Sequence, residues 1–532
     1  MRSPFSALFA QATRQSMEPL LAKEGKEGLS PLFSPGYRVY GTGSAVLSSL
    51  FVRKRQVLTV LAAAAVLLAA VSGTRSFARR VADRQHVFDL SIRTTTEPFV
   101  EVDTPQQLYS WSTEKFLPPA ESSLAYLNAS LAQLRGHQRN AHPAKEHTLS
   151  LYPSVQDFSA LPDSVRPEEI VFGFTSPYHR ARDMCRTWRH YLRHGSQCLI
   201  TLPPEEYMYV RDMKYYLEKE GLGRCHVLVH NLPKHGRYEH RVMDQPRRMQ
   251  QEEFLDDNGK KIIPKWYVVA DDDSQILDLQ ILQREMASRR HDEDHMLCAL
   301  TESNNQIGRH GRMCYGGGGI FLSAAFAKKM SDRIEECFWW HSWRFGGDEM
   351  LTHCASTATA NETGSIPPDQ VFEAIEGLHQ IDITGDLTGY LQSGLPFITL
   401  HHWLTWAETF PYWSSKDRKE SLIRLQKAAD YLGGDNLFKR FVFDDGSTLL
   451  TLGYSITLFS QPLEKYEMQL IERTHREWEH SLRYPTRPGI EEGKSPRGRY
   501  KTTYYIKDVI PEEHLFIFEN RHRDIIRLRY QK

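Results

Sequence analysis

The chain has 532 residues, with Lys plus Arg equal to Asp plus Glu at 66 each. With 40% hydrophobic and 25% charged residues it can bury one large core or two modest ones, which excludes a disordered chain. A formal net charge of zero supplies no overall basic field, which argues against nucleic acid as a partner.

Residues 1–55 are rich in Ser, Gly, Pro and basic side chains without sustained periodicity, and read as a cytoplasmic tail. Residues 56–74, QVLTVLAAAAVLLAAVSGT, carry no charge over 19 positions, near the length a helix needs to cross a bilayer. They read as a transmembrane anchor, since a cleaved signal peptide, the competing reading, would sit much nearer the start of the chain. Arg53, Lys54 and Arg55 precede the span and Arg75, Arg79 and Arg80 follow it, so charge leaves the orientation open. Two sequons, Asn128-Ala129-Ser130 and Asn361-Glu362-Thr363, lie after the span and are usable only if that side faces the secretory lumen. Residues 75–167 mix polar runs, prolines and short apolar patches, as a stem does.

From residue 168 the texture changes. Ile170-Val171-Phe172-Gly173-Phe174 is an apolar run of strand length, followed by turn chemistry at Thr175-Ser176-Pro177. Ala181, Met184, Trp188, Tyr191 and Leu192 then recur at helical spacing, which gives one face that can pack on a sheet. Further strands are expected at Cys198–Leu202, Cys225–Val229 and Trp266–Ala270. This alternation argues an α/β fold with a mainly parallel sheet, whose ligands gather beyond the carboxyl ends of the strands. After about Ser415 a helical stretch precedes two β-rich runs joined by a turn at Asp445-Gly446, so residues 416–532 read as an extension packed on the catalytic domain at 168–415.

Seven cysteines, Cys185, Cys198, Cys225, Cys298, Cys314, Cys337 and Cys354, fall in one third of the chain. Their clustering suits lumenal disulfides, the absence of CxxC argues against structural zinc, and the odd total leaves at least one thiol free or intermolecular. The pairing is not readable from spacing.

Three adjacent aspartates, Asp271, Asp272 and Asp273, repel one another at a strand end unless a divalent cation lies close by, and hard oxygen ligands suit magnesium or manganese. The competing reading is an acidic turn or a helix N-cap before Ile276, Leu279, Leu282 and Met286. Gly316 to Gly319 place backbone close to a ligand or to another segment, yet match neither a dinucleotide nor a P-loop fingerprint. Asp348-Glu349 is a second carboxylate pair, able to supply a base or simply to open a helix. His401-His402, after the apolar run Phe397–Leu400, can complete a metal shell or be structural.

Taken in order, HRARDMCRTW (179–188), WYVVADDD (266–273), YGGGGIFLS (315–323), GGDE (346–349) and LHHW (400–403) resemble the fringe-like glycosyltransferases of family 31, in particular the DUF604-like branch with a C-terminal extension. The resemblance spans residues 168–470. It implies a Rossmann-like nucleotide-sugar-binding domain of the GT-A type, preceded by a single transmembrane helix and stem. It implies Mn2+ (or Mg2+) bridging the donor diphosphate. Asp273 would bind the ion with His402, or alternatively His401, and Asp271 is a further ligand candidate. Asp271 and Asp272 would act on donor ribose or metal-bound water. Thr175, Arg180 and Arg182 would mark the nucleotide entry, with Gly317 and Gly318 also on the donor side. The family's general base lies in an acidic pair whose second member is usually aspartate; here that member is Glu349, so Asp348 and Glu349 both remain candidates.

The implied reaction is inverting transfer of a hexose or N-acetylhexosamine from a UDP-sugar to a glycan or glycoprotein hydroxyl, in a β-1,3 linkage. The expected setting is the Golgi lumen, with the chain a single-pass type II membrane protein. The alternative is a catalytically silent relative acting as a lumenal chaperone or glycan-binding protein.

Overall fold

A computed structural model of the chain describes residues 161–230, 236–360, 366–411, 413–443, 448–459 and 501–531, with the strands at 87–95, 147–150 and 475–477. They belong to one compact unit, residues 84–532. The expected tail (1–55) and anchor (56–74), most of the stem, both sequons and the Asp445-Gly446 turn lie outside the described residues. Among the described residues no helix is long and apolar enough to cross a membrane.

Two strands come first, β1 (Val87–Thr95) and β2 (His147–Ser150). The chain then alternates through β3 (Ile170–Thr175), α1 (Tyr178–Leu192), β4 (Gln197–Leu202), α2 (Val210–Lys219), β5 (Cys225–Val229), α3 (Tyr238–Gln251) and β6 (Trp266–Ala270). Next come β7 (Gln275–Ile276), α4 (Leu279–Ala287), β8 (Met296–Ala299), α5 (Asn304–His310), β9 (Tyr315–Ser323), α6 (Ala324–Asp332), α7 (Ile334–His341) and α8 (Gly347–Ala358). Short pieces follow: β10 (Glu373–Ala374), β11 (Ile383–Asp386), α9 (Thr388–Leu391), β12 (Thr399–Leu400) and β13 (Ala407–Glu408). The last part holds α10 (Ser415–Leu432), β14 (Arg440–Phe443), β15 (Thr448–Thr451), β16 (Ser455–Phe459), β17 (His475–Glu477), β18 (Lys501–Ile510), β19 (Leu515–Glu519) and β20 (Ile525–Gln531).

The first sheet has the order β10-β8-β9-β6-β3-β4-β5. The pairs β3·β4, β4·β5 and β3·β6 are parallel, and β9 alone runs against its neighbours β6 and β8, so the sheet is mixed but mainly parallel. Strand residues alternate between its two faces. Ile170, Phe172, Phe174, Trp266 and Val268 enter one apolar cluster, while Val171, Tyr267 and Val269 enter the other with Met243, Phe326 and Leu351. From β3 the chain moves outward through β4 and β5, then returns to place β6 on the other side of β3. The crevice between the carboxyl ends of β3 and β6 is therefore a topological switch point, where open α/β sheets bind ligands.

The second sheet has the order β14-β15-β16-β18-β19-β20-β1-β2. Its amino-terminal pair comes from the expected stem: β1 runs parallel to β20, with Val87 opposite Ile525 and Arg93 opposite Gln531. Residues 87–95, within the expected stem, thus complete a sheet built from the last strands of the chain. One apolar cluster joins the two sheets, from Phe174 and Trp188 to Phe441, Tyr454, Tyr505 and Phe516.

Three disulfides lie within the described fold, Cys198–Cys225 across β4 and β5, Cys298–Cys314 between β8 and the approach to β9, and Cys337–Cys354 between α7 and α8. Cys185 is the free thiol, and it is buried on α1.

Candidate metal and donor site

The aspartate triplet leaves the carboxyl end of β6 at the switch point. It does not cap the next helix: Asp278 does that, accepting from the N–H groups of Gln280 and Ile281, while Ile276 belongs to β7. The three carboxylates are held apart. Asp272 faces β3 and α1, where Ser176 Oγ donates to it at 2.5 Å and Arg180 Nε at 2.8 Å. Two indoles grip the backbone, Trp188 Nε1–H donating to the Asp272 carbonyl and Trp403 Nε1–H to the Asp273 carbonyl, each at 2.9 Å.

Asp273 faces His401, and a short ladder brings the two together. β7 pairs antiparallel with β12, setting Leu400 opposite Gln275, so the residue after Leu400 arrives beside Ser274 and Asp273. His401 Nε2 lies 3.1 Å from Asp273 and 3.5 Å from Asp271. Its Nδ1 is 2.8 Å from the Gln380 carbonyl, a contact that requires Nδ1–H and leaves Nε2 as the atom facing the carboxylates. Gly317 makes room for the ring, because a Cβ there would lie 1.9 Å from His401 Nδ1. The four glycines reach this place by leaving the β8·β9 ladder: Cys298 pairs with Ile320, but its neighbour Ala299 pairs with Tyr315.

The electrostatics are those of an acidic pocket around one imidazole. Burial disfavours charge on His401, but Asp273 and Asp271 outweigh it and raise the group to about 9. Burial would also raise Asp273, yet His401 holds its carboxyl well below the usual range. Asp271 is raised to about 7, chiefly by burial, with His401 opposing and the charges of Asp273, Asp348 and Asp272 adding to the rise. The carboxylate oxygens of Asp271 and Asp273, with the Nε2 of a neutral His401 whose Nδ1–H is held by Gln380, are a donor set that suits a divalent cation.

His402 stands beside the same group. Ligand atoms of Asp273, His401 and His402 fall within 4.8 Å of one another, so both histidines are close to the site. His402, however, sits at a positive φ of 52° and points Nε2 at Asp382, 3.5 Å away, with its ring stacked between His401 and Trp406. His401, rather than the favoured His402, is the imidazole in contact with Asp273.

Of the other expected residues, Arg180 reaches the aspartates, bonded to Asp272, while Arg182 stacks on tyrosines. The Arg182 guanidinium lies 5.6 Å from the ring centres of Tyr178 and of Tyr216 on α2. Thr175 is buried at the end of β3, where its hydroxyl meets Thr201 at 3.0 Å and Gln245 at 3.3 Å, so it shapes the crevice from below. Gly318 is packed against Ala299, which a Cβ would approach to 2.3 Å, and its N–H donates to Gln380 Oε1 at 3.2 Å. Gly317 and Gly318 therefore admit neighbouring protein groups.

Asp348 and Glu349 both sit in the first turn of α8 and then part company. Glu349 forms an ion pair with Arg344 at 2.7 Å. Asp348 faces the glycine excursion, accepting from the N–H of Gly316 at 3.3 Å and from that of Glu349 at 2.8 Å. A Cβ on Gly316 would lie 3.6 Å from both Asp271 Oδ1 and Asp348 Cβ, which measures how near the second carboxylate stands to the triplet. Burial, reinforced by the charge of Asp382, pushes the Asp348 carboxyl up against those two N–H groups.

Sequence reasoning missed Ser176, Gln380 and Asp382. Ser176 had been read only as turn chemistry, and Gln380 and Asp382 stand in a stretch without motif or periodicity, so no local signal marked them.

A family model described as a protein of unknown function, DUF604, matches residues 306–519, less than half of the chain. No curated protein matches it. Among solved structures, the chain is similar to the glycosyltransferase GlyE of Streptococcus pneumoniae TIGR4, at 11% identity and a TM-score of 0.25, over 40% of this chain and 46% of that one. It is similar to the mannosyltransferase PcManGT of Pyrobaculum calidifontis, solved with GDP-Man and Mn2+, at 9% identity and a TM-score of 0.26, over 41% of this chain and 60% of that one. It is also similar to mouse xyloside xylosyltransferase 1 in its apo form, at 11% identity and a TM-score of 0.25, over 40% and 86% of the two chains. The chain thus spans about half the length of the first of these and three fifths of the second.

Proposed function

We propose that this chain is a metal-dependent glycosyltransferase that draws on a nucleotide-sugar donor. The observation that carries the reading is the convergence of Asp271, Asp273 and the Nε2 of His401 at the switch-point crevice of a mainly parallel sheet. The DUF604 match over residues 306–519 agrees with the branch that the sequence motifs resemble.

Asp271, Asp273 and His401 would hold Mn2+ or Mg2+, with His402 as a further neighbour. Such an ion supplies positive charge for the diphosphate that departs from the donor. Arg180, half exposed beside Asp272, offers a guanidinium to the same phosphates or keeps the aspartate in place. Asp348 is the base: its carboxylate takes the proton of an acceptor hydroxyl, whose oxygen bonds to the anomeric carbon. The bond from that carbon to the phosphate oxygen breaks, and its electron pair leaves with the nucleoside diphosphate. Glu349, committed to Arg344, positions the turn and does not accept the proton.

The finer reading is transfer of a hexose or N-acetylhexosamine from a UDP-sugar to a glycan or glycoprotein, by inversion and in β-1,3 linkage. The proposed setting is the Golgi lumen, with the chain held by the segment at 56–74 as a type II membrane protein. Three disulfides support an oxidising compartment.

The test is a panel of sugar nucleotides offered to the full-length protein with Mn2+, with released nucleotide as readout. Turnover of one donor that disappears with EDTA and in Asp273→Ala is the expected result. No turnover together with no Mn2+-linked binding of any nucleotide, in folded protein, would sink the reading. Nucleotide binding without turnover would instead favour the silent glycan-binding alternative.

A further inference from the structure

Four large aromatic side chains stand in water between residues 339 and 345: Trp339 is 79% exposed, Trp340 57%, Trp343 72% and Phe345 77%. Single exposed aromatics are ordinary, but a cluster of this kind on a folded surface marks a place where something binds. The inner face of α7 does not need them. Ile334, Cys337 and Phe338 already bury it, and Cys337 is bonded to Cys354 of α8.

The loop that carries these rings is braced. Arg237 Nη2 donates to the carbonyls of Ser342 and Arg344, each at 2.7 Å, and His240 Nε2 contacts the Ser342 carbonyl at 2.9 Å. Trp343 Nε1–H donates to the Trp340 carbonyl at 2.8 Å. The rings are therefore held outward by a fixed backbone, which lowers the entropy lost when a partner stacks on them. From Phe345 the chain passes through Gly346 and Gly347 directly to Asp348, and three residues span at most about 10 Å.

We propose that Trp339, Trp340, Trp343 and Phe345 form the acceptor platform, holding a neutral oligosaccharide by its pyranose rings. A pyranose presents a face of C–H bonds and a rim of hydroxyls; an aromatic ring covers the first, while water and main-chain groups serve the second. The proposal rests on the transferase reading, in which Asp348 takes the acceptor proton.

Charge and shape select this occupant. Arg344, whose guanidinium lies 4.8 Å from the centre of the Trp343 ring, pairs with Glu349; Arg333 at the start of α7 pairs with Glu336, and Arg247 on α3 with Asp244 and Glu335. These guanidiniums are engaged with carboxylates, and Arg237, spent on the loop carbonyls, has Glu239 3.9 Å away, so the patch offers little open basic charge to anionic lipid. Consecutive residues leave a helix about 100° apart, so Trp339 and Trp340 make a stepped surface and not the flat apolar face that a second copy would bury.

The experiment uses purified full-length protein with lactose, N-acetyllactosamine and N,N′-diacetylchitobiose as probes, read by saturation-transfer NMR, alongside calorimetry with UDP and Mn2+. At least one saccharide should bind wild type, with saturation concentrated on C–H protons. Trp343→Ala with Phe345→Ala should weaken it about tenfold or more, Trp343→Phe should largely restore it, and UDP–Mn2+ binding should not change. Nucleotide binding with no saccharide bound, or equal saccharide binding by the double variant, overturns the platform. So does quenching of the exposed tryptophans by brominated phosphatidylcholine vesicles in place of saccharide binding, or a self-association that the double variant abolishes. Saccharide binding without UDP–Mn2+ binding leaves the platform standing and removes the transferase centre.

Discussion

The two sides of the candidate site are built by opposite means. The aspartate–histidine side is assembled from segments far apart in sequence, and the polar atoms that define it are largely buried and paired: Asp272 with Ser176 and Arg180, Asp273 with His401, His401 with Gln380. The aromatic side is a single continuous stretch, 339–349, whose rings stand in solvent on a braced backbone. The first depends on long-range topology, so small steric changes should disable it. The second is local, so its side chains should be replaceable at little structural cost. Asp348 and Glu349 are where the two meet, and they face different partners, the glycine excursion and Arg344.

That division is the sharpest place to strike. Asp348→Asn keeps the shape of the turn but cannot take a proton, and should lower turnover about 100-fold or more with little effect on nucleotide binding. Glu349→Gln removes only the partner of Arg344 and should cost far less. If steady-state kinetics gave the larger loss for Glu349→Gln, the assignment of the base would be reversed.

The next effect separates the two histidines. His401→Ala removes the imidazole in contact with Asp273 and should weaken Mn2+-linked nucleotide binding by at least about tenfold. His402→Ala, whose ring faces Asp382 and Trp406, should weaken it less. Calorimetry on both variants decides the matter, and equal losses would make the pair a joint ligand set.

Gly317→Ala attacks the same centre without touching a polar group. Its Cβ would fall inside the His401 ring, so either the ring or the glycine excursion must move. Overpacking of this kind costs about 1–3 kcal/mol, which thermal unfolding can measure, and ion-linked nucleotide binding should fall with it. Unchanged binding would show that His401 is not held where the geometry puts it.

How much of this was legible follows the same contrast. The strands at 170–175, 197–202, 225–229 and 266–270 announced themselves as short apolar runs, and the position of the triplet after the last of them followed at once. The two-residue strands β7 and β12 are too short to show any periodicity, yet their pairing brings His401 to 3.1 Å from Asp273. The glycine run was read as a close approach without a partner, because only the fold supplies the ring that fills the space. β1 pairs with β20 across more than four hundred residues, a contact that local pattern does not encode. Glu349 looked equivalent to Asp348 because Arg344, which claims it, shows its role only when the turn is folded.

The smallest expected effect tests whether the two sides also differ in acid. His341, which ends α7 within the aromatic stretch, and His353 on α8 have ring centres 5.4 Å apart, and His341 Nε2 contacts Thr357 Oγ1 at 2.8 Å. Burial lowers both to about 4, with Arg344 lowering each further and Glu349 opposing it; His341 also feels His353 and Glu336. A histidine whose folded value lies below its unfolded value near 6.5 stabilises the fold fully above that value, and the contribution is lost as pH falls from about 6.5 toward 4. Hydrogen exchange over 337–357 should therefore accelerate through that window, and His353→Gln should flatten the response. The β7·β12 ladder, which neither histidine supports, should hold its protection to lower pH, and simultaneous loss of both regions would show that the two sides unfold as one.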